Sequence, residues 1–315
     1  MRRTLVTAIA LVLAGNSMAV SATVAGDGPA ASSAEVTTQL PRTARPSHYA
    51  IEVTPHADKM TFDGKVRIDI EVLAPTSTIV LQAANLSFGK STLVAKGGKP
   101  QDAVVSVDAE QQTATFAFDK PLAPGRYTLS TDYAGVINTQ ANGFFALDYQ
   151  TESGKKRALY TQFENSDARR FVPSWDEPNF KATFDLTVNA PSADMVVSNM
   201  PEASSKDLGN GMKQVVFQTS PKMSTYLLFL GLGEFERATL QGENGKGKPV
   251  EIGVIAQKGK VEQARFALEG SRDVLREYND YFGVPFPLPK LDNIAAPGRS
   301  QFFSAMENWG AIFTF

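Results

Sequence analysis

Two stretches near the start of the chain alternate apolar and polar residues, the pattern of a β-strand with one buried face. They cover residues 49–53 and 66–72, and their apolar side chains are mainly Tyr, Ile and Val. Asp63 and Gly64 come just before the second stretch and favour a turn. The pattern therefore predicts two early strands that share one buried face.

Further short apolar runs follow at the spacing of β-hairpins, with turn residues such as Gly97-Gly98 and Ser153-Gly154 between them. We expect strands at residues 79–81, 104–107, 115–118, 127–133, 144–149, 158–163, 184–188, 195–198, 215–218 and 226–230. Many short strands with regular turns indicate an antiparallel, mostly β domain, which we expect to end near Gly233.

The spacing of apolar residues along the chain changes after that domain. Apolar or small residues recur at steps of three and four over residues 261–282, which predicts a helix with one apolar face, and Gly283 and the prolines after it end the helix. Strands are expected on either side, at residues 250–255 and 290–295. These elements begin a second, mixed domain. We expect exposed apolar surface on the helix and around Ile294 and Phe302-Phe303.

The N-terminus has the pattern of a secretory signal peptide. Arg2 and Arg3 precede an apolar run of about ten residues and a small-x-small site ending at Ala19. A bilayer span needs about 20 apolar residues, so the run is too short to cross one; the alternative is a buried N-terminal helix. We expect a signal peptide at residues 1–22, a disordered leader at residues 23–43, and export to the periplasm or the extracellular space.

Composition excludes several classes of function. The 315 residues carry a net charge of −2, which gives no reason to expect nucleic acid or an anionic membrane as a partner. The chain has no cysteine, so disulfides, thiol catalysis and cysteine zinc sites are excluded. Its two histidines, His48 and His56, are eight residues apart. A helical zinc motif needs two histidines one turn apart, so we expect strand or turn residues here.

Two polar stretches far apart in the chain carry the candidate chemistry. One is the string Ser304-Ala305-Met306-Glu307-Asn308-Trp309-Gly310, and the other is Thr161-Gln162-Phe163-Glu164. The small residues Ser304 and Ala305 would let another backbone lie close, as when a peptide adds to a sheet edge. Glu164 reaches the same point as Glu307 only if the fold brings together residues 143 positions apart.

The string SAMENWG resembles the exopeptidase signature GAMEN of the aminopeptidase N family of zinc metallopeptidases, and residues 161–184 are similar to the second hallmark of that family. The resemblance implies a large antiparallel, saddle-like β domain at residues 44–233. It implies that residues 234–315 are the truncated start of an α/β, thermolysin-like catalytic domain. The zinc motif of the family, HExxH with a later glutamate, is not in this sequence. The zinc cofactor is therefore expected only for a complete protein.

The resemblance also implies a set of substrate-binding residues. Glu164, Glu307 and Gln162 would accept hydrogen bonds from the α-ammonium of a peptide substrate with a free N-terminus. Ala305 and Met306 would pair with the peptide backbone and line its first side-chain pocket, although Met306 has plain core packing as an alternative. Ser304, where the family usually has glycine, and Asn308 complete the set. The charges at residues 167–170 and 175–178 are expected to be supporting ion pairs.

Three hypotheses about function follow. The first is the N-terminal part of an exported zinc aminopeptidase, with the 315-residue chain inactive by itself because it lacks the metal ligands. The second is a non-catalytic β-rich binding or scaffold module derived from the same family. The third is a relative that also opens epoxides. It is disfavoured because such relatives carry a Gln-x-Gln pattern at the position where this chain has Gln162-Phe163-Glu164.

Overall fold

The computed structural model describes residues 40–297 and 305–315. The predicted signal peptide, nearly all of the predicted leader, and Ser304 lie outside the described residues. The described part is mostly β-strand, which confirms the predicted fold class. None of its helices combines the length and the apolar character needed to cross a bilayer.

The strands of the first part of the chain are, in order, β1 (Ala44–His56), β2 (Thr61–Val72), β3 (Thr76–Gln82), β4 (Ser87–Ala95), β5 (Pro100–Asp102), β6 (Val104–Asp108), β7 (Thr113–Leu122), β8 (Gly125–Val136), β9 (Gly143–Thr151), β10 (Gly154–Gln162), β11 (Thr183–Pro191), β12 (Met195–Ser198), β13 (Glu202–Gly209), β14 (Met212–Phe217) and β15 (Leu230–Gly233). The second part contains β16 (Phe235–Glu243), β17 (Pro249–Gln257), the helix α1 (Arg265–Phe282), β18 (Lys290–Ala295), β19 (Ala305–Met306) and β20 (Ala311–Thr314).

The largest sheet has eight strands in the order β13-β14-β11-β1-β2-β8-β4-β5. Alternation along β1 and β2 buries one face of each strand, so that Tyr49, Ile51 and Ile68 lie in the core. Most neighbours are antiparallel, as expected, but β1 and β11 are parallel. Parallel neighbours need a long connection, which here runs through the other sheets and the polar loop that follows β10.

Two smaller sheets complete this part, with the strand orders β3-β7-β6 and β12-β15-β10-β9. The second of them carries the upstream candidate stretch, because β10 ends at Gln162. Its side chains enter the main hydrophobic core, in which Phe62, Phe144 and Phe171 pack with ring centroids 5.5–5.6 Å apart.

The last sheet has the order β16-β17-β18-β20-β19. The predicted helix is present as α1, after one turn of 3-10 helix, and it ends at Gly283 in the left-handed conformation (φ 62°). Leu268 and Leu275 pack against Val250, Ile252 and Val254 of β17. β15 ends at Gly233 and this sheet begins at Phe235, although the domain boundary itself stays a prediction.

Two sequence-based expectations are wrong. Of residues 226–230, only Leu230 is in a strand: a 3-10 turn, Thr225–Leu227, comes first and β15 begins at Leu230. Backbone groups of this segment bond to the side chain of Asn199 instead of to a neighbouring strand. Ile294 is also not exposed, because it is buried in the main core. The helix does expose apolar surface as expected, with Phe266 88% and Tyr281 83% exposed. Phe302 and Phe303 lie outside the described residues.

Six strands have no counterpart among the sequence predictions, and β13 shows one reason. Every residue of β13 is exposed, so no alternation of apolar and polar residues marks it. It forms because its backbone pairs with β14 at the edge of the sheet. The other five are β4, β5, β16, β19 and β20.

Candidate substrate-anchoring site

The upstream stretch is the end of a strand that is bonded on both sides. Gln162 is paired with Gly143 of β9, and the hydroxyl of Thr161 accepts a 2.9 Å hydrogen bond from the backbone N–H of Leu230. Gln162 is only 4% exposed, and its Oε1 has no hydrogen-bond partner among the described residues. A buried acceptor without a donor costs about 1–3 kcal/mol, so this atom retains an unused capacity to accept a hydrogen bond.

Phe163, which lies between Gln162 and Glu164, stabilises the turn that follows β10. Phe163 is buried and its ring lies 5.4 Å from that of Phe171, while its carbonyl oxygen accepts a 2.9 Å bond from the backbone N–H of Asp167. Glu164 begins the turn and is exposed, and its peptide bond to Asn165 is cis. Burial of Phe163 therefore fixes the position from which the Glu164 carboxylate faces solvent.

A buried ion pair involves Arg169, which follows this turn in the chain. Arg169 donates to Asp176 with an Nε–Oδ2 distance of 3.0 Å, and the Thr225 hydroxyl donates to the other carboxylate oxygen at 2.7 Å. The backbone N–H of Asp176 donates to Gln82 Oε1 at 2.8 Å. Burial raises the pKa of the Asp176 carboxyl, and these donors oppose the rise. The supporting pairs expected from the sequence are thus present; Arg170 and Asp167 form the other, at 2.7 Å.

The downstream stretch lies on an edge strand. β19 pairs antiparallel with β20 through Ala305↔Thr314 and Met306↔Phe313, and it is the terminal strand of its sheet among the residues that the structure describes. Ala305 and Glu307 are exposed, whereas Met306 is 1% exposed and packs in the main core. The side chain of Asn308 is buried, and its Nδ2 has no hydrogen-bond partner among the described residues.

The turn after Glu307 is held from its own sheet by a second buried charge network. Lys290 Nζ donates to the Gly310 carbonyl at 2.7 Å and to Asp292 Oδ2 at 2.8 Å, and the Asp292 backbone N–H donates to the same carbonyl at 3.1 Å. Arg237 bonds the other oxygen of Asp292 at 2.7 Å. Burial lowers the pKa of Lys290, while its contact with Asp292 opposes the decrease.

Aromatic packing joins the two stretches. Phe313, which lies opposite Met306 in β20, has its ring 4.8 Å from that of Tyr160 in β10, two residues before Gln162. Phe313 also contacts the ring of Phe229 at 5.5 Å. The strands that carry the candidate anchors therefore share one hydrophobic core, although the anchors are far apart in sequence.

The residues that support the downstream stretch have no counterpart among the sequence predictions. Lys290 and Asp292 are charged residues at alternate positions of the predicted strand β18, and this is the signal that could have identified them. Arg237 lies in β16, which was not predicted, and Asn199 is a single asparagine with no pattern around it.

The histidines are strand residues, as expected. His48 and His56 both lie in β1, where His48 Nδ1 is 2.8 Å from Thr183 Oγ1 and His56 Nε2 is 2.9 Å from Asp63. Within residues 40–297 and 305–315, no three His, Asp or Glu side chains form a group that could hold a metal. The residues described here thus do not fit a zinc ion, and what they offer is acceptors for a cation and a free strand edge.

Two family models match this chain. The family model described as Peptidase M1 N-terminal domain matches residues 45–227, and the model described as Peptidase family M1 domain matches residues 266–315. "Aminopeptidase N" of Acetobacter pasteurianus is 42% identical over 275 residues, which cover 87% of this chain and 75% of that protein.

Longer relatives match over a similar share of the chain. "Aminopeptidase M1-C" of Oryza sativa subsp. japonica is 37% identical over 274 residues, 87% of this chain and 30% of its own length. "Endoplasmic reticulum aminopeptidase 1" of Mus musculus is 34% identical over 277 residues, 86% of this chain and 29% of its own length. The chain thus spans less than a third of these two relatives.

Proposed function

This chain belongs to peptidase family M1, and from that premise we propose that it supplies the substrate-amine anchors of an exported zinc aminopeptidase. The enzyme would remove N-terminal residues from peptides. The observation that carries the proposal is the packing of Phe313 on Tyr160, which places the strands of both acidic stretches in one core.

The anchors suit an α-ammonium group. Its ordinary pKa is near 8, so it is mostly charged at neutral pH and presents three donors. Glu164 and Glu307 are exposed carboxylates, and Gln162 Oε1 is an acceptor without a partner among the described residues. Two carboxylates and one neutral acceptor would satisfy the three donors and offset the cost of desolvating the ammonium.

The free edge of β19 suits the backbone of an extended peptide. Since no other described strand pairs with the outer edge of β19, Ala305 and Met306 have a backbone edge that can pair with the first residues of a substrate. The buried side chain of Met306 would contribute as packing behind this edge. Ser304 and Asn308 flank the same strand and complete the proposed site.

Zinc in the complete enzyme would polarise the scissile carbonyl and activate a water molecule. The histidines of this chain do not form a zinc motif, so we propose that the ligands belong to residues outside it and that the 315-residue chain is inactive alone. Export rests on the signal-peptide pattern at the N-terminus. A measurement of zinc in the native protein tests the metal, and a metal-free native protein would favour the non-catalytic module.

The experiment that tests the anchors replaces Glu164 and Glu307 separately by glutamine in the native enzyme. The matched control is Glu152→Gln, an exposed glutamate in the turn at the other end of the β9–β10 hairpin. Each anchor variant should lower kcat/KM on free-amine peptides about tenfold to hundredfold, because a hydrogen bond to a charged group contributes roughly 1.5–3 kcal/mol. Zinc content should stay unchanged. Normal rates in both variants would sink the proposal.

A further inference from the structure

Asn199, which follows β12, makes hydrogen bonds with both ends of its side-chain amide. Its Nδ2 donates to the Trp309 carbonyl at 2.9 Å and to the Leu227 carbonyl at 2.7 Å. Its Oδ1 accepts from the backbone N–H of Phe229 at 2.8 Å. The residue is 2% exposed, so water cannot replace these bonds without a change in packing.

These bonds connect the two anchoring stretches. Trp309 is two residues after Glu307 in the downstream turn. Phe229 is adjacent to Leu230, whose N–H bonds the hydroxyl of Thr161, the residue before Gln162. A single amide side chain therefore links the turn of one stretch to the segment that lies beside the strand of the other.

The backbone of Asn199 also contacts the downstream turn. A Cβ atom on Gly310 would lie 2.3 Å from the Asn199 carbonyl oxygen, and Gly310 has φ 71°, a conformation that favours glycine. The turn thus lies directly on Asn199. Lys290 and Asp292 hold the same turn from its own sheet, whereas Asn199 attaches it to the sheet that contains β10.

We propose that Asn199 is a positioning residue for amine recognition, which rests on the proposed function. It sets the placement of Glu307 relative to Gln162 and Glu164, and it does not itself touch the substrate. An ammonium shared between acceptors on two separate elements is sensitive to their separation, because hydrogen bonds weaken steeply with distance and angle. Loss of the bridge should therefore weaken recognition of the amine more than recognition of the rest of the ligand.

The test is Asn199→Asp in the native enzyme. Aspartate has the same shape and keeps an acceptor for the Phe229 N–H, but it removes both donors and sets a carboxylate against the carbonyls of Leu227 and Trp309. The probes are leucine hydroxamate and isocaproic hydroxamate, which is the same molecule without the α-amine. The ratio of their inhibition constants measures amine recognition and does not depend on the fraction of folded enzyme.

A matched control is available in α1. Asn279 is buried and bonds in the same way, with Nδ2 donating to the Glu243 carbonyl at 3.1 Å and Oδ1 accepting from the Phe286 N–H at 2.9 Å. It has no bond to either anchoring stretch among the described residues. Asn279→Asp should disturb stability in the same way and leave the ratio of inhibition constants unchanged.

We expect Asn199→Asp to reduce the preference for the amine-bearing probe about tenfold, the effect of one weakened hydrogen bond to a charged group. If Asn199→Asp does not fold, Asn199→Ser replaces it, because its shorter hydroxyl cannot bridge the two carbonyls. A wild-type preference that survives in the variant that folds overturns the role of Asn199 and leaves the proposed function standing. A wild-type enzyme with no preference for the amine overturns both.

Discussion

The two anchoring stretches each lie above a buried carboxylate, but the two carboxylates are neutralised differently. Asp176, under the upstream turn, has one cationic partner, Arg169, and a hydroxyl donor from Thr225. Asp292, under the downstream turn, has two cationic partners, Lys290 and Arg237. Arg237 in turn reaches Glu251, which is about half exposed.

The difference shows which support depends more on charge. Burial raises the pKa of Asp176, so the cost of burial at the upstream turn falls on the carboxylate. A neutral hydroxyl donor, Thr225, provides part of its stabilisation. At the downstream turn burial lowers the pKa of Lys290, so the cost falls on a cation that needs Asp292 to stay charged. The position of Glu307 should therefore be more sensitive to loss of one charge than the position of Glu164.

The largest effect is expected from Asp292→Asn. It leaves the buried ammonium of Lys290 without a full counter-charge, which costs about 3–5 kcal/mol. Asp176→Asn should cost less, because the Thr225 hydroxyl can still donate to the side-chain oxygen of the asparagine. Urea unfolding of the two variants measures both losses, with Asp273→Asn, at a half-exposed position of α1, as the control. Equal losses for the two buried sites would remove the proposed difference.

A smaller difference in stability is expected between alanine substitutions at two glycines, Gly310 and Gly143. Both lie beside the anchoring stretches and have left-handed backbone conformations. Gly310→Ala would bring Cβ to 2.3 Å from the backbone oxygen of Asn199, whereas Gly143→Ala would bring it to 2.9 Å from the side-chain Cβ of Arg170. Each change costs about 1–2 kcal/mol for backbone conformation, and overpacking against a rigid group adds roughly 1–3 kcal/mol.

Gly310→Ala should therefore be the more destabilising of the two in thermal unfolding. It should also reduce preference for the amine-bearing hydroxamate, while Gly143→Ala changes that preference less. The reverse order would mean that the downstream turn moves more freely than its contacts indicate.

The smallest loss of stability is expected at an exposed group of charges that contacts neither turn. Asp148 of β9 bonds Arg157 of β10 at 2.6 Å and Lys155 at 2.9 Å, and these cations, Arg157 foremost, hold the pKa of Asp148 well below its usual value. Asp148→Asn should cost at most about 1 kcal/mol at neutral pH, because exposed ion pairs contribute little.

The pH dependence of that loss has a defined sign. A depressed folded-state pKa contributes stability that is present above the unfolded pKa, about 3.9 for aspartate, and is lost as pH falls through the folded value. The difference between wild type and Asp148→Asn should therefore shrink as pH falls below about 4 in urea unfolding. A difference that grows in acid would contradict the lowered pKa of Asp148.

Sequence patterns predicted the elements that have one buried face. The alternation in β1 and β2, the three-four spacing of α1 and the bounds of β18 are all confirmed. Patterns failed where a contact distant in sequence decides the structure. β13 exists through pairing with β14 alone, and the apolar run before β15 stays irregular because Asn199 bonds its backbone.

The same distinction between local patterns and distant contacts applies to the candidate site. Its acidic residues were found because the motifs around Glu164 and Glu307 are distinctive as strings of letters. Their supports were not found, because Asn199, Lys290 and Arg237 act through contacts that only the folded chain creates. Ser304 and the pocket role of Met306 stay predictions.

The most direct test of the central claim is a crystal structure of the native enzyme with leucine hydroxamate bound. We predict that the α-ammonium nitrogen lies within about 3 Å of a carboxylate oxygen of Glu164, a carboxylate oxygen of Glu307 and Oε1 of Gln162. A bound amine that contacts neither glutamate would contradict the claim that these two stretches form one amine-binding site.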